Sequence, residues 1–259
     1  MSDFAHTLWI GGPSGAGKST IARQLVRRWG LRLYACDTRT WEHRDRAIAA
    51  GVDAAIRWEA LTPAERAGLP AAQHRVLEAI PERQVMIIED LVALPRSPLV
   101  LAEGTVLPPH VADPARSVWL VPSRDFQARH RGDPERRTEP MDEVIAATKA
   151  RGIPILVVDG SRPVTELAGE VEVRLGDSLR AGPTATTIAE RCAYLREANL
   201  DVVRQIRVGC GRPWATADPE VQVRTFTCEC GDEACEADVD ATVAAVAARP
   251  VLERGHSPN

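Results

Sequence analysis

Eight residues near the start of the chain limit its fold more than any others: Gly12-Pro13-Ser14-Gly15-Ala16-Gly17-Lys18-Ser19. They fill the pattern G-x-x-x-x-G-K-[ST] at every position. An apolar run, Thr7–Ile10, precedes them and reads as a strand. The stretch from Lys18 to Trp29 follows, with Ile21, Leu25 and Val26 on one side, and reads as a helix. A strand, a glycine loop and a helix in that order let successive backbone N–H groups converge on a phosphate. Gly12, Gly15 and Gly17 allow the tight turn and the close approach. The helix N-terminus adds its positive dipole end. Lys18 is expected to reach the β- and γ-phosphates and Ser19 to ligate Mg²⁺, with Thr20 beside it in the nucleotide-binding set.

Further along, apolar strand runs alternate with helical patterns. Strands are predicted at Leu31–Cys36, Leu99–Ala102, Ser117–Val121 and Ile153–Val158. Helices are predicted at Trp41–Ala50, over Pro63–Ile80 with a break near Gly68-Leu69-Pro70, and at Met141–Arg151. Gln84–Leu94 contains Val-Met-Ile-Ile-Glu-Asp, which has the look of an apolar strand ending in a metal-binding acidic pair. Leu99–Ala102 follows too closely, however, because adjacent parallel strands need a crossover of a dozen or more residues. Gln84–Leu94 is therefore predicted to be a helix ended by Pro95, and no Walker B aspartate closes the third strand. Pro122–Pro140 is polar and broken by Gly132 and Pro134, so it reads as loop with at most a turn of helix. The alternation predicts an α/β fold, a five-stranded parallel sheet with helices on both faces.

After Val173 the pattern changes. Gly176–Pro183 reads as a linker, Thr184–Val208 as one long helix with Ile188, Cys192, Leu195 and Val202 inward, and Val239–Ala248 as a last helix. Two units are expected: residues 1–176, binding nucleotide, and residues 184–259, a helix with a cysteine-rich module.

Composition excludes several classes. A formal net charge of -4 over 259 residues argues against a nucleic-acid surface. Lys18 and Lys149 are the only lysines, the remaining basic charge being arginine. The apolar runs fall short of the roughly 18–20 residues a membrane span needs, and no basic and apolar leader opens the chain. A cytoplasmic protein is expected, with no membrane partner. Its six cysteines are then thiols or metal ligands rather than structural disulfides.

With the glycine loop in that strand and helix context, residues 6–175 resemble P-loop kinases of small molecules, the group of adenylate, shikimate, gluconate and antibiotic kinases. The resemblance implies that Asp37, ending the second strand, faces the acceptor hydroxyl and accepts its proton. The residue's other reading is a turn cap with Thr38. Glu103, before Gly104 at the end of the third strand, would hold a Mg²⁺ water or touch the acceptor. The arginine-rich segment Arg124–Arg137 stands where these kinases place a lid. Its Arg124, Arg129, Arg131, Arg136 and Arg137 would fold over the phosphates, Arg124 and Arg129 being favoured. Otherwise the run is a solvated basic face. Arg39 and Arg44 are candidates to clamp an anionic acceptor. Gly160-Ser161-Arg162-Pro163 would lie beside the adenine, with ATP and GTP both open.

The second informative segment is Cys228-Glu229-Cys230-Gly231-Asp232-Glu233-Ala234-Cys235. Three thiols in that spacing supply three of the four ligands Zn²⁺ takes, and the fourth is His256 or Cys210. Free thiols or a redox pair are the other reading. The long helix, Cys-Glu-Cys-Gly-Asp, Cys235 and Gly255-His256 resemble a small C-terminal module common in actinobacterial proteins, which favours His256. Its metal would be structural, since so small a unit buries little apolar surface.

The leading expectation is an ATP- and Mg²⁺-dependent phosphotransferase acting on a small-molecule acceptor. The alternative is a nucleotide-binding regulatory protein whose zinc module docks a partner protein.

Overall fold

The computed structural model describes residues 4–131 and 141–257. The chain begins with β1 (Thr7–Gly11), the loop, and α1 (Lys18–Trp29), which Gly30 closes in a left-handed conformation. β2 (Arg32–Ala35) leads into α2 (Thr40–Ala49), then the short helices α3 (Asp53–Ala60), α4 (Pro63–Ala67) and α5 (Ala71–Leu77). Next come α6 (Ile80–Ala93), β3 (Val100–Gly104), β4 (Ser117–Pro122) and α7 (Arg124–Arg131). α8 (Met141–Ala150), β5 (Ile155–Val158) and α9 (Val164–Ala181) complete the sheet layer. α10 (Ile188–Cys210), an antiparallel ribbon of β6 (Val223–Thr227) and β7 (Asp238–Thr242), and α11 (Val243–Ala248) follow.

Five strands form one parallel sheet in the order β2-β3-β1-β4-β5. Successive side chains along a strand point to opposite faces, and here both faces are covered. Leu8, Ile10, Leu101 and Leu120 pack with Ile21 and Leu25 of α1 and Leu167 and Val171 of α9. Trp9, Val100 and Trp119 pack on the other side with Ile87 and Leu91 of α6. That double burial is why the strands read as continuous apolar runs. It places the carboxyl ends of β1 and β3 side by side, with Gly11 opposite Gly104 and Ile10 opposite Glu103.

Several expectations need correction. The proposed linker at Gly176–Pro183 is mostly the last turns of α9, where Leu175 and Leu179 are buried. The chain then stays on the sheet layer: the Leu99 amide donates to the Pro183 carbonyl at 2.7 Å and the Ala185 amide to the Gly30 carbonyl at 2.8 Å. α10 starts later than expected, at a capping box made by Thr187 and Glu190. Leu195 is buried on it as expected, but Ile188 is exposed and Cys192 and Val202 are half-buried. Arg124–Arg131 is a helix, because Ser123 caps it: its Oγ accepts from the Phe126 amide and its carbonyl from the Gln127 amide. Arg136 and Arg137 lie outside the described residues. The last helix begins only at Val243, since Asp238–Thr242 is spent on the ribbon.

Candidate functional site

The loop after β1 has three glycines at positive φ, Gly12 at 117°, Gly15 at 87° and Gly17 at 79°. Gly12 has a second reason to lack a side chain: a Cβ there would stand 2.1 Å from the Leu120 carbonyl oxygen. Ala16 is buried beneath the loop. Gly17 heads α1 and offers no side-chain cap, and no acidic residue occupies the first turn. The helix therefore presents its leading N–H groups without a side-chain carboxylate of its own. Lys18 is buried, and its Nζ donates to the Pro13 carbonyl at 2.9 Å, folding the side chain back along the loop.

Ser19 is exposed, with Thr20 half-buried beside it, and its Oγ donates to Glu103 Oε2 at 3.1 Å. Glu103 is 3% exposed at the carboxyl end of β3. Burial, then the neighbouring Asp37 carboxylate, push its acid up to about 7, against the opposing pull of Lys18, Ser19 and Arg23. Asp37 follows β2 in a short 3-10 turn and is exposed. Its Oδ1 accepts from the Cys36 thiol at 3.5 Å. Thr38 does cap this turn, but onto the Ala35 carbonyl at 2.8 Å.

A cavity of about 1310 Å³ opens beside this group. Pro13 and Ser14 of the loop line it, as do Asp37, Thr40 and Arg83, and its far wall includes Val144 and Arg151 of α8. Among the described residues no lining residue lies beyond Arg151, so residues 184–257 do not fill it.

The expected arginines are placed elsewhere. Arg124 is exposed and pairs with Asp142 on α8 at 3.1 Å. Arg129 donates to the Asp159 carbonyl at 3.2 Å, beside the turn at Gly160-Ser161-Arg162-Pro163. Neither lines the cavity. That turn is held by Asp159 Oδ1, which accepts from the Ser161 amide and hydroxyl at 2.9 and 2.6 Å. It leads to Val164, whose side chain borders Gly17. Arg39 is taken by Glu42 at 3.1 Å and Asp201 at 2.8 Å. Arg44 turns inward, donating to the Leu77 carbonyl at 3.1 Å over the Trp58 ring. These two do not face the cavity because α10 supplies the partner for one and the α3–α5 cluster encloses the other. Arg83 of α6 is the cation the sequence reading missed. No sequence signal marks it: Arg83 stands one residue before the ambiguous stretch Gln84–Leu94.

Asp90, the acidic end of that stretch, is no phosphate-site carboxylate. It accepts hydrogen bonds from Tyr34 Oη and His43 Nε2 at 2.8 Å each and from Arg46 Nη1 at 2.7 Å.

The thiol cluster assembles at a distance from the cavity. Cys228, Cys230, Cys235 and His256 bring one ligand atom each to within 4.8 Å of one another. His256 Nδ1 lies 3.4 Å from Cys228 Sγ and 3.7 Å from Cys235 Sγ. Cys210, at the end of α10, is not part of the group. Gly231, at φ 76°, makes the turn between the second and third cysteines. Burial, aided by the charge of Cys228 and Cys230, pushes the Cys235 thiol up to about 12. Burial also opposes ionisation of Cys228, but the Glu253 and Cys230 amides and His256 outweigh it and hold that thiol below its ordinary range. Crowded soft donors of this kind are the set that Zn²⁺ takes, so the cluster could hold a metal such as zinc.

α1 links the glycine loop to the cysteine turn. Arg27 Nη1 donates to Asp238 Oδ1 at 2.9 Å and to the Ala237 carbonyl at 2.8 Å. That same carbonyl accepts from the Cys228 amide at 3.1 Å. No protein-family profile and no curated protein matches the chain. Among the described residues no helix is long and apolar enough to cross a membrane.

Proposed function

We propose that the chain is an ATP-dependent phosphotransferase acting on a small hydroxylated acceptor. The observation that carries the reading is the open cavity with Pro13 and Ser14 of the glycine loop at its edge and the exposed Asp37 on its wall. Gly12, Pro13, Ser14, Gly15, Ala16, Gly17, Lys18, Ser19 and Thr20 form the triphosphate site in this reading, on three grounds. Glycines at positive φ turn the backbone, an uncapped helix N-terminus favours anions, and a buried lysine stands in the loop.

Mg²⁺, when bound beside Ser19 and Glu103, supplies neutralisation of the phosphate charge. The chain's own part is positioning. Asp37 accepts the hydroxyl proton as the acceptor oxygen attacks the γ-phosphorus. The bond from phosphorus to the β,γ-bridging oxygen breaks, and ADP leaves. Arg129, beside the turn after β5, is the lid arginine best placed to follow the nucleotide, and Arg124 must first leave Asp142.

The cysteine cluster is assigned to structural Zn²⁺ through Cys228, Cys230, Cys235 and His256. All three cysteines are buried, and four protein ligands leave no open position for a substrate. A second reading is favoured by the Arg27 contact, which joins the helix of the glycine loop to the cysteine cluster. In it the triphosphate sets the state of the C-terminal unit, which docks a partner protein.

Titration calorimetry with MgATP, followed by ATP consumption across a panel of hydroxylated acceptors, separates the two. Native protein should bind MgATP, and Lys18→Ala should weaken it by about a hundredfold or more, the scale of a lost buried charge contact. Asp37→Ala should leave that binding within about threefold and remove acceptor-dependent turnover by 10² or more, on the order of a lost general base. Turnover that survives Asp37→Ala sinks the catalytic assignment. Tight binding with no acceptor-dependent turnover favours the regulatory reading.

A further inference from the structure

Arg83 is 7% exposed on the wall of the cavity. Its Nη2 donates to Thr40 Oγ1 at 3.0 Å, and its Nε has no hydrogen-bond partner. No carboxylate pairs with it among the described residues. Two other buried arginines are paired with carboxylates. Arg27 has Asp238 at 2.9 Å and Arg212 has Asp45 at 2.6 Å. Arg44 and Arg66 lie over the Trp58 ring. A guanidinium buried beside a neutral partner lacks the counter-charge that offsets its loss of hydration. An anion arriving from the cavity supplies that counter-charge, and a planar guanidinium suits the two oxygens of a carboxylate or phosphate.

The position of Arg83 also matters. Thr40 Oγ1, which accepts from Arg83, itself donates to the Asp37 carbonyl at 2.8 Å. One threonine hydroxyl therefore links the guanidinium to the residue assigned to the acceptor hydroxyl. Elsewhere the cavity is lined by Glu78, Glu82 and Glu143 as well as Arg151, which disfavours a negative group away from Arg83. The volume exceeds the roughly 300–1,000 Å³ of ordinary ligand pockets, leaving room for an apolar body against Val106, Leu107 and Val144.

We propose that Arg83 binds an anionic oxygen-acid group of the acceptor, a carboxylate or phosphate, close to the hydroxyl held by Asp37. The acceptor is then a hydroxylated acid rather than a neutral alcohol. This rests on the phosphotransferase reading, but the anion site is testable without it.

Lys18→Ala removes the cation of the glycine loop, and calorimetry on that variant reads inorganic phosphate and D-glycerate without nucleotide. Binding of at least one anion is expected, with a further Arg83→Gln change weakening it about thirtyfold or more. The preferred anion distinguishes phosphate from carboxylate. No anion binding to Lys18→Ala, or binding indifferent to Arg83→Gln in a folded protein, overturns the proposal. Should Arg83→Gln not fold, native protein decides through acceptor pairs: a hydroxy acid should exceed its amide by about tenfold or more in kcat/KM, chiefly through KM. An amide used equally well overturns the anion site and leaves the kinase reading standing. Failure of MgATP to bind removes the kinase reading and leaves the phosphate titration interpretable.

Discussion

Asp90 is the residue whose replacement best separates a local resemblance from its tertiary role. With Glu89 it follows an apolar run, Val85–Ile88, in the manner of a metal-binding carboxylate, yet three donors already occupy it: Tyr34, His43 and Arg46. Asp90→Asn keeps the shape, removes one acceptor oxygen and the charge, and turns an amide N–H₂ toward a donor. Hydrogen bonds to a charged group contribute roughly 1.5–3 kcal/mol each and do not add, so a net loss of about 2–3 kcal/mol at neutral pH is expected. At roughly 2–4 °C per kcal/mol for a chain of this size, the Tm should fall by about 4–12 °C.

The loss should also depend on pH. Burial by itself would raise the acid of Asp90, but the bonds from His43, Tyr34 and Arg46 outweigh it and hold it at about 2, below its ordinary 3.8. A folded-state value below the unfolded one means the folded state favours the ionised form. The stability it contributes is present above the ordinary value and is lost as pH falls through 3.8 toward 2. Solvent reaches one edge of the group, so the ionisation-linked part is about 1–2 kcal/mol. Thermal melts of native protein and Asp90→Asn from pH 7 to pH 2.5 should draw closer at the acid end, while MgATP affinity stays within about threefold at pH 7. Unchanged Tm with nucleotide affinity down by about tenfold or more would refute the reasoning, since that is the signature of a carboxylate serving the phosphate site.

Two further outcomes test the C-terminal unit. Native protein should carry one zinc per chain by elemental analysis. Cys230→Ser should lose it and unfold the region around the cluster, with the near-ultraviolet dichroism of Trp9 and Trp119 in the sheet retained; full protection of Cys228–Cys235 amides without metal would contradict a structural role. Arg27→Ala removes both bonds to residues 237–238 and should cost about 2–3 kcal/mol, discounted because Asp238 is partly solvated. Hydrogen exchange should then speed up in β6 and β7 more than in β1, and equal change in all three would mean that Arg27 merely stabilises α1.

What could be read from the sequence was what is decided within a few residues. Leu99–Ala102 and Ser117–Val121 were visible as strands because both their faces are buried. The helix at α6 followed from the distance to the next strand alone. β6 and β7 gave no such signal. Val223, Arg224 and Thr225 are exposed, and only Phe226 and Thr227 of β6 are buried, so the ribbon has no apolar alternation. Asn199 of α10 positions β6 instead, donating to the Thr227 carbonyl at 2.8 Å while its Oδ1 accepts from the Thr227 amide at 3.1 Å. Gly176 and Gly182 suggested a linker by composition. Gly182 instead sits where a Cβ would meet Leu99 Cδ1 at 2.3 Å.

The same distinction explains the arginines. The glycine loop and the cysteine turn are stretches of eight residues whose own spacing brings their groups together, so residue identity carried most of the information. An acceptor site is different, because its charges converge from separate elements. Arg39 and Arg44 lie near Asp37 in sequence, yet Arg39 ends the 3-10 turn and pairs with Asp201, while Arg44, on α2, lies over the Trp58 ring. Arg83 is 46 positions from Asp37 and reaches it through a single threonine hydroxyl. Chain proximity is thus a poor guide to which cation lies beside Asp37. The better guide is compensation: Arg39 has carboxylates and Arg44 an aromatic face, whereas Arg83 has, among the described residues, only Thr40 and the open cavity.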